Sequence, residues 1–241
     1  MKIFLSLILI PLMVFLFSAC GNKTKDANEE QATEEQVTYD FSDKKVGDAI
    51  VLGKYEQDND LSNGKEDIEW IILDKTEDKI LVISKYVLDC KKYSDYVEST
   101  WENSFVRFWL NTEFIDNVFT YEEIQKILTL PVQARDTKYS RCDPGKTTED
   151  KLFLLDTTET KEYMDSYSAR VCKPTPYAIK QGVFTASYAD YEGNALWWTR
   201  SPGSKNQDYA ANIGVDGEVF YYGYEVGSSD IGVRPSMWIE I

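Results

Sequence analysis

The sequence of 241 residues contains no histidine. Histidine is the commonest general base, the usual partner of a catalytic serine or cysteine, and a frequent metal ligand. Its absence excludes Ser-His and Cys-His nucleophile pairs and most zinc sites. An enzyme built from this sequence would depend on carboxylates, tyrosine, lysine or a thiol. The sequence leaves catalysis open but favours a non-enzymatic protein without a cofactor.

Positive charge is scarce as well. The chain has 26 Lys and Arg residues against 41 Asp and Glu residues, a formal net charge of −15. Proteins that bind nucleic acid need clustered Lys and Arg side chains to contact phosphates. The composition therefore excludes a nucleic-acid partner and favours solubility outside the cell and the binding of cations.

Cysteine is sparse, with four residues in all and no CxxC or metal-ligand spacing. Cys20 is assigned to lipid attachment below, which leaves Cys90, Cys142 and Cys172. Two interpretations stay open for an oxidising exterior. Either Cys90 and Cys172 form a disulfide, or all three residues are separate, buried and inert thiols.

Long apolar runs are absent except at residues 3–17. Lys2 precedes this run and two small residues follow it, a pattern typical of a secretory signal peptide at residues 1–19. The run is shorter than the roughly 20 apolar residues of a membrane span. We therefore expect the signal to be removed rather than to cross the membrane.

Residues 17–20, Phe-Ser-Ala-Cys, resemble the bacterial lipobox, with Phe where Leu is commoner. The resemblance implies that Cys20 becomes the lipid-modified first residue, carrying palmitate or a similar acyl chain. The protein would then sit at the extracellular face of the cytoplasmic membrane, with the membrane as its partner through the lipid anchor. An ordinary signal peptide with an unrelated cysteine, or an uncleaved anchor, is the alternative.

Residues 20–43 are rich in Asn, Gln, Thr and acidic side chains. Such a segment cannot bury enough apolar surface to offset its ordering entropy, so we predict a disordered acidic tether. Residues 44–241 are then long enough for a single α+β domain. Their abundant aromatic residues favour a β-rich fold or an aromatic-lined binding face.

Local patterns place the elements of this domain. β-branched and aromatic runs predict a strand at 48–53, a hairpin of 68–73 with 80–83 that is central to a sheet, and a strand at 151–155. Capping patterns predict helices at 99–119, 120–128, 156–167 and 175–182, and residues 134–150 read as a polar loop. Four short strands, at 196–200, 209–213, 218–222 and 233–239, then form an antiparallel sheet.

The C-terminal strands carry the binding candidates. Trp197 and Trp198 are adjacent, so alternation points their rings to opposite faces, which leaves one ring, with Trp198 as the candidate, available to a ligand. A purely structural role for both rings is the favoured alternative. Arg200 is a second candidate, although a buried role that locks a loop to the sheet is favoured. Tyr221, Tyr222 and Tyr224 complete the candidate surface, because rigid amphipathic rings serve recognition well. A plain strand edge that aromatic side chains shield is the favoured alternative.

Residues 58–67 alternate oxygen-bearing side chains before Gly64, in the manner of a calcium loop. The glycine falls one place later than an EF-hand requires, and no flanking helices are predicted. We therefore expect a solvated turn here and no metal site. The neighbouring Glu122 and Glu123 indicate a helix N-terminus rather than a catalytic pair.

Five parts of the chain carry a family resemblance: residues 64–74, 100–102 with 106–111, 169–175, 197–203 and 232–239. They resemble an uncharacterised extracellular lipoprotein domain family, a domain of unknown function, of gut Gram-positive bacteria, and the resemblance covers about 44–241. The ending is also remotely similar to C-type-lectin-like domains of the formylglycine-generating-enzyme type. That similarity implies a C-type-lectin-like fold, with a twisted antiparallel sheet, two or more packed helices and long loops.

Neither well-known activity of that wider fold is supported. The Glu-Pro-Asn, Gln-Pro-Asp and Trp-Asn-Asp strings of calcium-dependent lectins are missing, as are two closely spaced thiols near the end. The leading hypothesis is a lipid-anchored cell-surface binding module whose ligand is a glycan or a protein of the cell envelope. The alternatives are a structural or accessory surface protein without a small ligand, and a carboxylate-driven hydrolase.

Overall fold

A computed structural model describes residues 39–95, 98–135 and 141–241. The predicted signal peptide, Cys20 and most of the predicted tether lie outside the described residues. Phe41 is buried in the core, so the folded part begins before the predicted boundary at residue 44. Within the described residues, no helix has the length and apolar character needed to span a membrane.

Two five-stranded sheets and a small two-stranded sheet dominate the fold, which is mixed α+β. In chain order the strands are β1 (Ala49–Tyr55), β2 (Glu66–Lys75), β3 (Lys79–Ser84), β4 (Asp89–Cys90), β5 (Leu130–Val132), β6 (Thr148–Asp150), β7 (Leu152–Phe153), β8 (Trp197–Pro202), β9 (Tyr209–Ile213), β10 (Val219–Glu225), β11 (Gly232–Val233) and β12 (Ser236–Glu240).

The first sheet has the order β1-β2-β3-β12-β7 and is antiparallel throughout. Alternating apolar residues of β2 face the core, where Trp70 is fully buried and donates from Nε1 to the Leu52 carbonyl at 2.8 Å. The predicted hairpin of β2 and β3 is confirmed, and both strands are central. The last strand, β12, pairs with β3 and so joins the two ends of the domain.

The second sheet has the order β10-β9-β8-β11-β4. It is not wholly antiparallel, because β11 pairs with β8 in parallel. Arg234 and Pro235 separate β11 from β12, where one strand was predicted at 233–239. The strand is interrupted here because proline has no N–H to donate to a ladder. Both residues instead bind Ser84 at the end of β3: the Pro235 carbonyl accepts from Ser84 N at 2.9 Å, and Arg234 Nε donates to the Ser84 carbonyl at 3.0 Å. The chain thereby passes from the second sheet to the first.

Short helices cover the sheets. They are α1 (Phe105–Trp109), a π-helical turn (Leu110–Phe114), α2 (Ile115–Val118), α3 (Tyr121–Lys126), α4 (Glu159–Tyr163), α5 (Tyr167–Arg170) and α6 (Pro176–Gln181). Two predicted caps are confirmed. Thr120 and Glu123 form a capping box on α3, and α6 has Thr175 as its N-cap and Gly182 as a left-handed C-cap.

Other predicted boundaries are wrong. The helix predicted from Ser99 begins at Phe105 with Ser104 as its N-cap. Asn103 Oδ1 accepts from Thr100 N at 2.7 Å and so holds the preceding residues in a turn. The helix predicted over 156–167 is shorter, because only α4 lies within it and α5 begins at its last residue. The loop predicted at 134–150 ends in β6, where Asp150 is buried and accepts from Arg107 Nε at 2.8 Å.

Candidate functional site

A cavity of about 400 Å³ opens beside β10, at one edge of the second sheet. Its walls combine aromatic and carboxylate side chains, a combination suited to a polar ligand with apolar faces. We call it the aromatic pocket and define it by the exposed rings of Phe184, Tyr188, Tyr191, Phe220 and Tyr224, and by Asn212, Asp216, Glu218 and Asp230.

One wall is a loop that leaves α6 and returns to β8. Phe184 N donates to the Asp230 carbonyl at 2.7 Å, and Ala186 N donates to the Asn194 carbonyl at 2.9 Å. Asn194 Nδ2 ties the loop to the opposite turn by donating to the Val215 carbonyl at 2.9 Å. The rings of Tyr188 and Tyr191 meet edge to face at 5.7 Å. These contacts fix the loop by its backbone and leave its rings exposed.

The other wall is β10, the edge strand of the second sheet. The Phe220 ring lies 5.6 Å from the Tyr224 ring and 6.1 Å from the Tyr222 ring. Gly223, which lies between Tyr222 and Tyr224 in the sequence, has φ of +80°, and a Cβ there would lie 2.4 Å from the Ala210 carbonyl oxygen. Glycine therefore permits the bulge in the β9–β10 pairing that separates Phe220 from Tyr224.

The polar part of the pocket is acidic. Asp216 Oδ1 accepts from Glu218 N at 3.0 Å, which closes the turn between β9 and β10. Asn212 is fully buried, and its Oδ1 accepts no hydrogen bond within the described part of the chain. No Lys or Arg is among the described residues that line the pocket. The pocket can therefore accept hydrogen bonds but repels anions.

The three tyrosine candidates have different positions. Tyr224 lines the aromatic pocket. Tyr222 is exposed beside it, and its ring meets that of Tyr209 at 5.7 Å. Tyr221 is half-buried, packs against the core, and has its hydroxyl 3.5 Å from Lys161 Nζ. The expectation that β10 presents tyrosines outward is confirmed for Tyr222 and Tyr224.

The favoured interpretation of the Trp197–Trp198 pair, a structural role for both rings, is confirmed, and the alternative that one ring faces a ligand is wrong. Both residues are 0% exposed because both faces of β8 are covered. Trp198 Nε1 donates to the Lys91 carbonyl at 3.0 Å, and the Trp198 ring meets Tyr93 at 5.6 Å. Trp198 is therefore a core residue without access to a ligand.

Arg200 is also enclosed. It is 3% exposed, and its guanidinium donates to the Leu154 carbonyl at 2.7 Å and to Glu159 Oε1 at 2.6 Å. Asp156 Oδ2 lies 3.3 Å from Arg200 Nη2. The favoured buried role is confirmed, because Arg200 locks the segment before α4 onto β8. An anionic ligand cannot reach it.

Sequence reasoning missed Phe184, Tyr188, Tyr191 and the acidic residues of the pocket. The loop at 184–195 offered one signal, since three aromatic residues lie among small and polar ones. Nothing in the sequence indicated that this loop faces β10. That contact arises because residues about 30 positions apart are brought together by the second sheet.

The two buried thiols are separate. Cys90 Sγ lies 3.2 Å from the Ser229 carbonyl oxygen, and Cys172 Sγ lies 3.4 Å from the Lys85 carbonyl oxygen. The disulfide interpretation is therefore wrong for this structure. Burial raises the pKa of Cys90 to about 12 and also raises the pKa of Cys172. Neither is a thiolate nucleophile at neutral pH.

The turn between β1 and β2 brings three carboxylates together. Oxygen atoms of Glu56, Asp58 and Glu66 lie within 4.8 Å of one another. The sequence prediction concerned residues 58–67 and favoured a solvated turn, so it overlooked Glu56. The signal was weak because Glu56 and Glu66 are ten positions apart and only the pairing of β1 with β2 places them side by side.

Comparison with known proteins identifies one family. The family model described as a domain of unknown function (DUF6273) matches residues 77–241, about two thirds of the chain. No curated protein matches the chain. No solved structure matches it.

Proposed function

The chain belongs to the DUF6273 family of domains of unknown function, and we propose that it is a lipid-anchored cell-surface module whose aromatic pocket binds a saccharide. The ligand is a neutral or amino-substituted glycan of the cell envelope. The anchor is Cys20, and the location is the extracellular face of the cytoplasmic membrane.

The observation that carries the proposal is the composition of the aromatic pocket. Its volume of about 400 Å³ lies in the range of small-molecule sites. Sugar rings present apolar C–H faces and a rim of hydroxyls. Exposed aromatic rings stack on such faces, and the carboxylates of Asp216, Glu218 and Asp230 accept hydrogen bonds from hydroxyls or from an ammonium group.

Charge narrows the ligand class further. An anionic polymer would meet three carboxylates and no cation among the described lining residues of the pocket. Like charges at such a site disfavour binding. A phosphate-rich polymer and a nucleic acid are therefore poor candidates, whereas a neutral or amino sugar fits.

A C-type-lectin-like arrangement is part of the proposal. In support, β12 returns to pair with β3, so strands from both ends of the domain share the first sheet. The second sheet carries the long loop at 184–195 and the turn at 214–218 that border the pocket. Loops on a rigid sheet commonly carry binding residues.

Tyr224→Ala is expected to weaken binding of the best saccharide by at least about tenfold, or about 1.4 kcal/mol, because it removes a stacking ring. The full chain in mild detergent is first tested on an array of envelope saccharides, including N-acetylhexosamine oligomers and their de-acetylated forms. Isothermal titration calorimetry then compares the variants.

Tyr121→Ala is the matched control, because Tyr121 is exposed on α3 and does not line the aromatic pocket. It should bind like the wild type. Absence of binding to every saccharide, or equal losses in both variants, would contradict the proposal. Stable capture of an envelope protein without any saccharide would favour the structural or accessory function, and hydrolysis of an array saccharide would favour the carboxylate-driven hydrolase.

Cys20→Ser is expected to abolish acylation and release the protein from the membrane, since a thiol is the acceptor for the lipid. In a bacterial host fed an alkyne-tagged fatty acid, the wild type should carry the label and fractionate with membranes. Cys142→Ser is the control and should retain the label. Equal labelling of wild type and Cys20→Ser would rule out this anchor.

A further inference from the structure

The turn between β1 and β2 holds a cluster of three carboxylates that the aromatic pocket does not use. Oxygen atoms of Glu56, Asp58 and Glu66 lie within 4.8 Å of one another. Two oxygens bound to one Ca²⁺ at about 2.3–2.6 Å can be up to about 5 Å apart. A single ion can therefore contact all three side chains.

Glu56 supplies an independent indication of a ligand. The residue is only 8% exposed, although a carboxylate is among the side chains least often buried without a partner. Its Oε1 is fully buried and accepts no hydrogen bond from any described residue. Burial raises the pKa of Glu56, and the charges of Glu66 and Asp58 raise it further. A buried, unpaired carboxylate oxygen is costly unless a cation or donor meets it.

The nearby lysines do not supply that cation. Lys54 Nζ pairs with Asp67 at 2.7 Å, and Lys65 Nζ donates to the carbonyl and side-chain oxygens of Asn117. Within the described ranges, no Lys or Arg forms an ion pair with Glu56, Asp58 or Glu66. Three negative charges thus converge without a cationic side chain among the described residues to pair with them.

The other two carboxylates are held in place by the turn. Glu66 Oε2 accepts from Gln57 N at 2.6 Å and from Asp58 N at 3.2 Å. Asp58 accepts from Asp60 N at 2.7 Å, a hydrogen bond that lowers the pKa of Asp58. Both groups are therefore oriented before any ion arrives, which reduces the entropy lost on binding.

We propose that Glu56, Asp58 and Glu66 form a calcium site. The donors are oxygens only, the preference of a hard cation, and water or backbone carbonyls complete the six to eight ligands of Ca²⁺. Mg²⁺ demands a near-ideal octahedron and gives up water reluctantly, so it binds more weakly here. The site shares no residue with the aromatic pocket, and failure of one proposal leaves the other standing.

Calorimetry on the full chain in mild detergent, freed of metals by chelating resin, tests the site with CaCl₂ alone. We expect one ion per chain with a dissociation constant of about 10⁻⁵ to 10⁻³ M. Glu56→Gln should weaken binding by at least about tenfold, because it removes one charged ligand. Glu149→Gln, an exposed position on β6, is the matched control and should bind like the wild type.

Thermal unfolding keeps the test decisive if a variant is less stable. Calcium should raise the midpoint of the wild type and of Glu149→Gln, since an ion that binds the folded state stabilises it. Without calcium, Glu56→Gln should unfold at the same temperature as the wild type or higher, because it removes a buried charge. With calcium, the midpoint of Glu56→Gln should rise much less than that of the wild type, and the midpoint of Asp58→Asn should also rise less.

Three results would overturn the assignment. They are no heat and no midpoint shift for the wild type with millimolar CaCl₂, the same calcium response in Glu56→Gln as in the wild type, and equal binding of MgCl₂ and CaCl₂.

Discussion

Arg200→Leu is expected to lower the free energy of unfolding by about 3–5 kcal/mol, because the buried carboxylates of Asp156 and Glu159 then keep only the partly exposed Arg135 as a charged partner. Arg200 is 3% exposed and lies against Glu159 and Asp156. It also donates from Nε to the Gln133 carbonyl at 3.0 Å. Urea unfolding followed by tryptophan fluorescence measures the loss.

The loss should be smaller in acid. Burial and the neighbouring Glu159 charge raise the pKa of Asp156, whereas the pKa of Glu159 is lowered because Arg200 outweighs its burial. Without Arg200 the folded-state pKa values of both carboxyls should exceed their unfolded values. A carboxyl group whose pKa is higher in the folded state than in the unfolded state favours folding at low pH, and this contribution is lost as the pH rises. We therefore expect the variant to be closer to the wild type at pH 4.5 than at pH 7.

Arg141→Leu is the control, since Arg141 is exposed, and it should change the stability by no more than about 0.5 kcal/mol. Adding Asp156→Asn and Glu159→Gln to Arg200→Leu should recover part of the loss, because the two buried negative charges that Arg135 compensates only in part are gone. A loss of less than about 1 kcal/mol in Arg200→Leu at pH 7 would contradict the role of Arg200 as a clamp.

Gly217→Ala is expected to destabilise the protein by about 2–5 kcal/mol through backbone strain and steric overlap. Gly217 has φ of +80°, and a Cβ there would lie 2.0 Å from the Tyr167 carbonyl oxygen. Its own carbonyl accepts from Arg170 Nε at 2.7 Å, so the turn cannot simply move away from α5. Urea unfolding measures the loss of stability. The variant should also bind saccharide more weakly, because Asp216 and Glu218 flank the substituted residue.

Gly47→Ala separates the effect of backbone strain from the effect of steric overlap. Gly47 has φ of +91°, but nothing lies within 4 Å of a Cβ placed there. This variant should lose only the conformational part, about 1–2 kcal/mol. Equal losses at Gly47 and Gly217 would mean that the contact with α5 is unimportant.

Local elements of the fold were predictable because their physical causes are local. The β2–β3 hairpin follows from two β-branched runs around a charged turn. Strand β9 has its predicted bounds, and helix α6 follows from Thr175, Pro176 and Gly182, which act within a few residues of themselves. The start of α1 was missed because Asn103, rather than the capping pattern at Ser99, satisfies the preceding backbone.

The candidate site depended far more on tertiary contacts. The sequence pattern of β8 predicts alternating faces, but coverage of both faces buries Trp198 and Arg200. Tyr224 was predicted as a binding residue from its own strand. Its partners Tyr188 and Phe184 could not be, because their position relative to β10 depends on how the second sheet is assembled.

By itself, the sequence determined the composition on which function depends: no histidine, an excess of acidic residues, one long apolar run at residues 3–17, and abundant aromatic residues. It also determined the short elements whose caps and turns are stabilised by near neighbours. Only the tertiary structure decided which rings face the aromatic pocket and that Glu56 meets Glu66. Burial and electrostatic proximity are properties of residues distant in the chain, and strand pairing is what makes them neighbours.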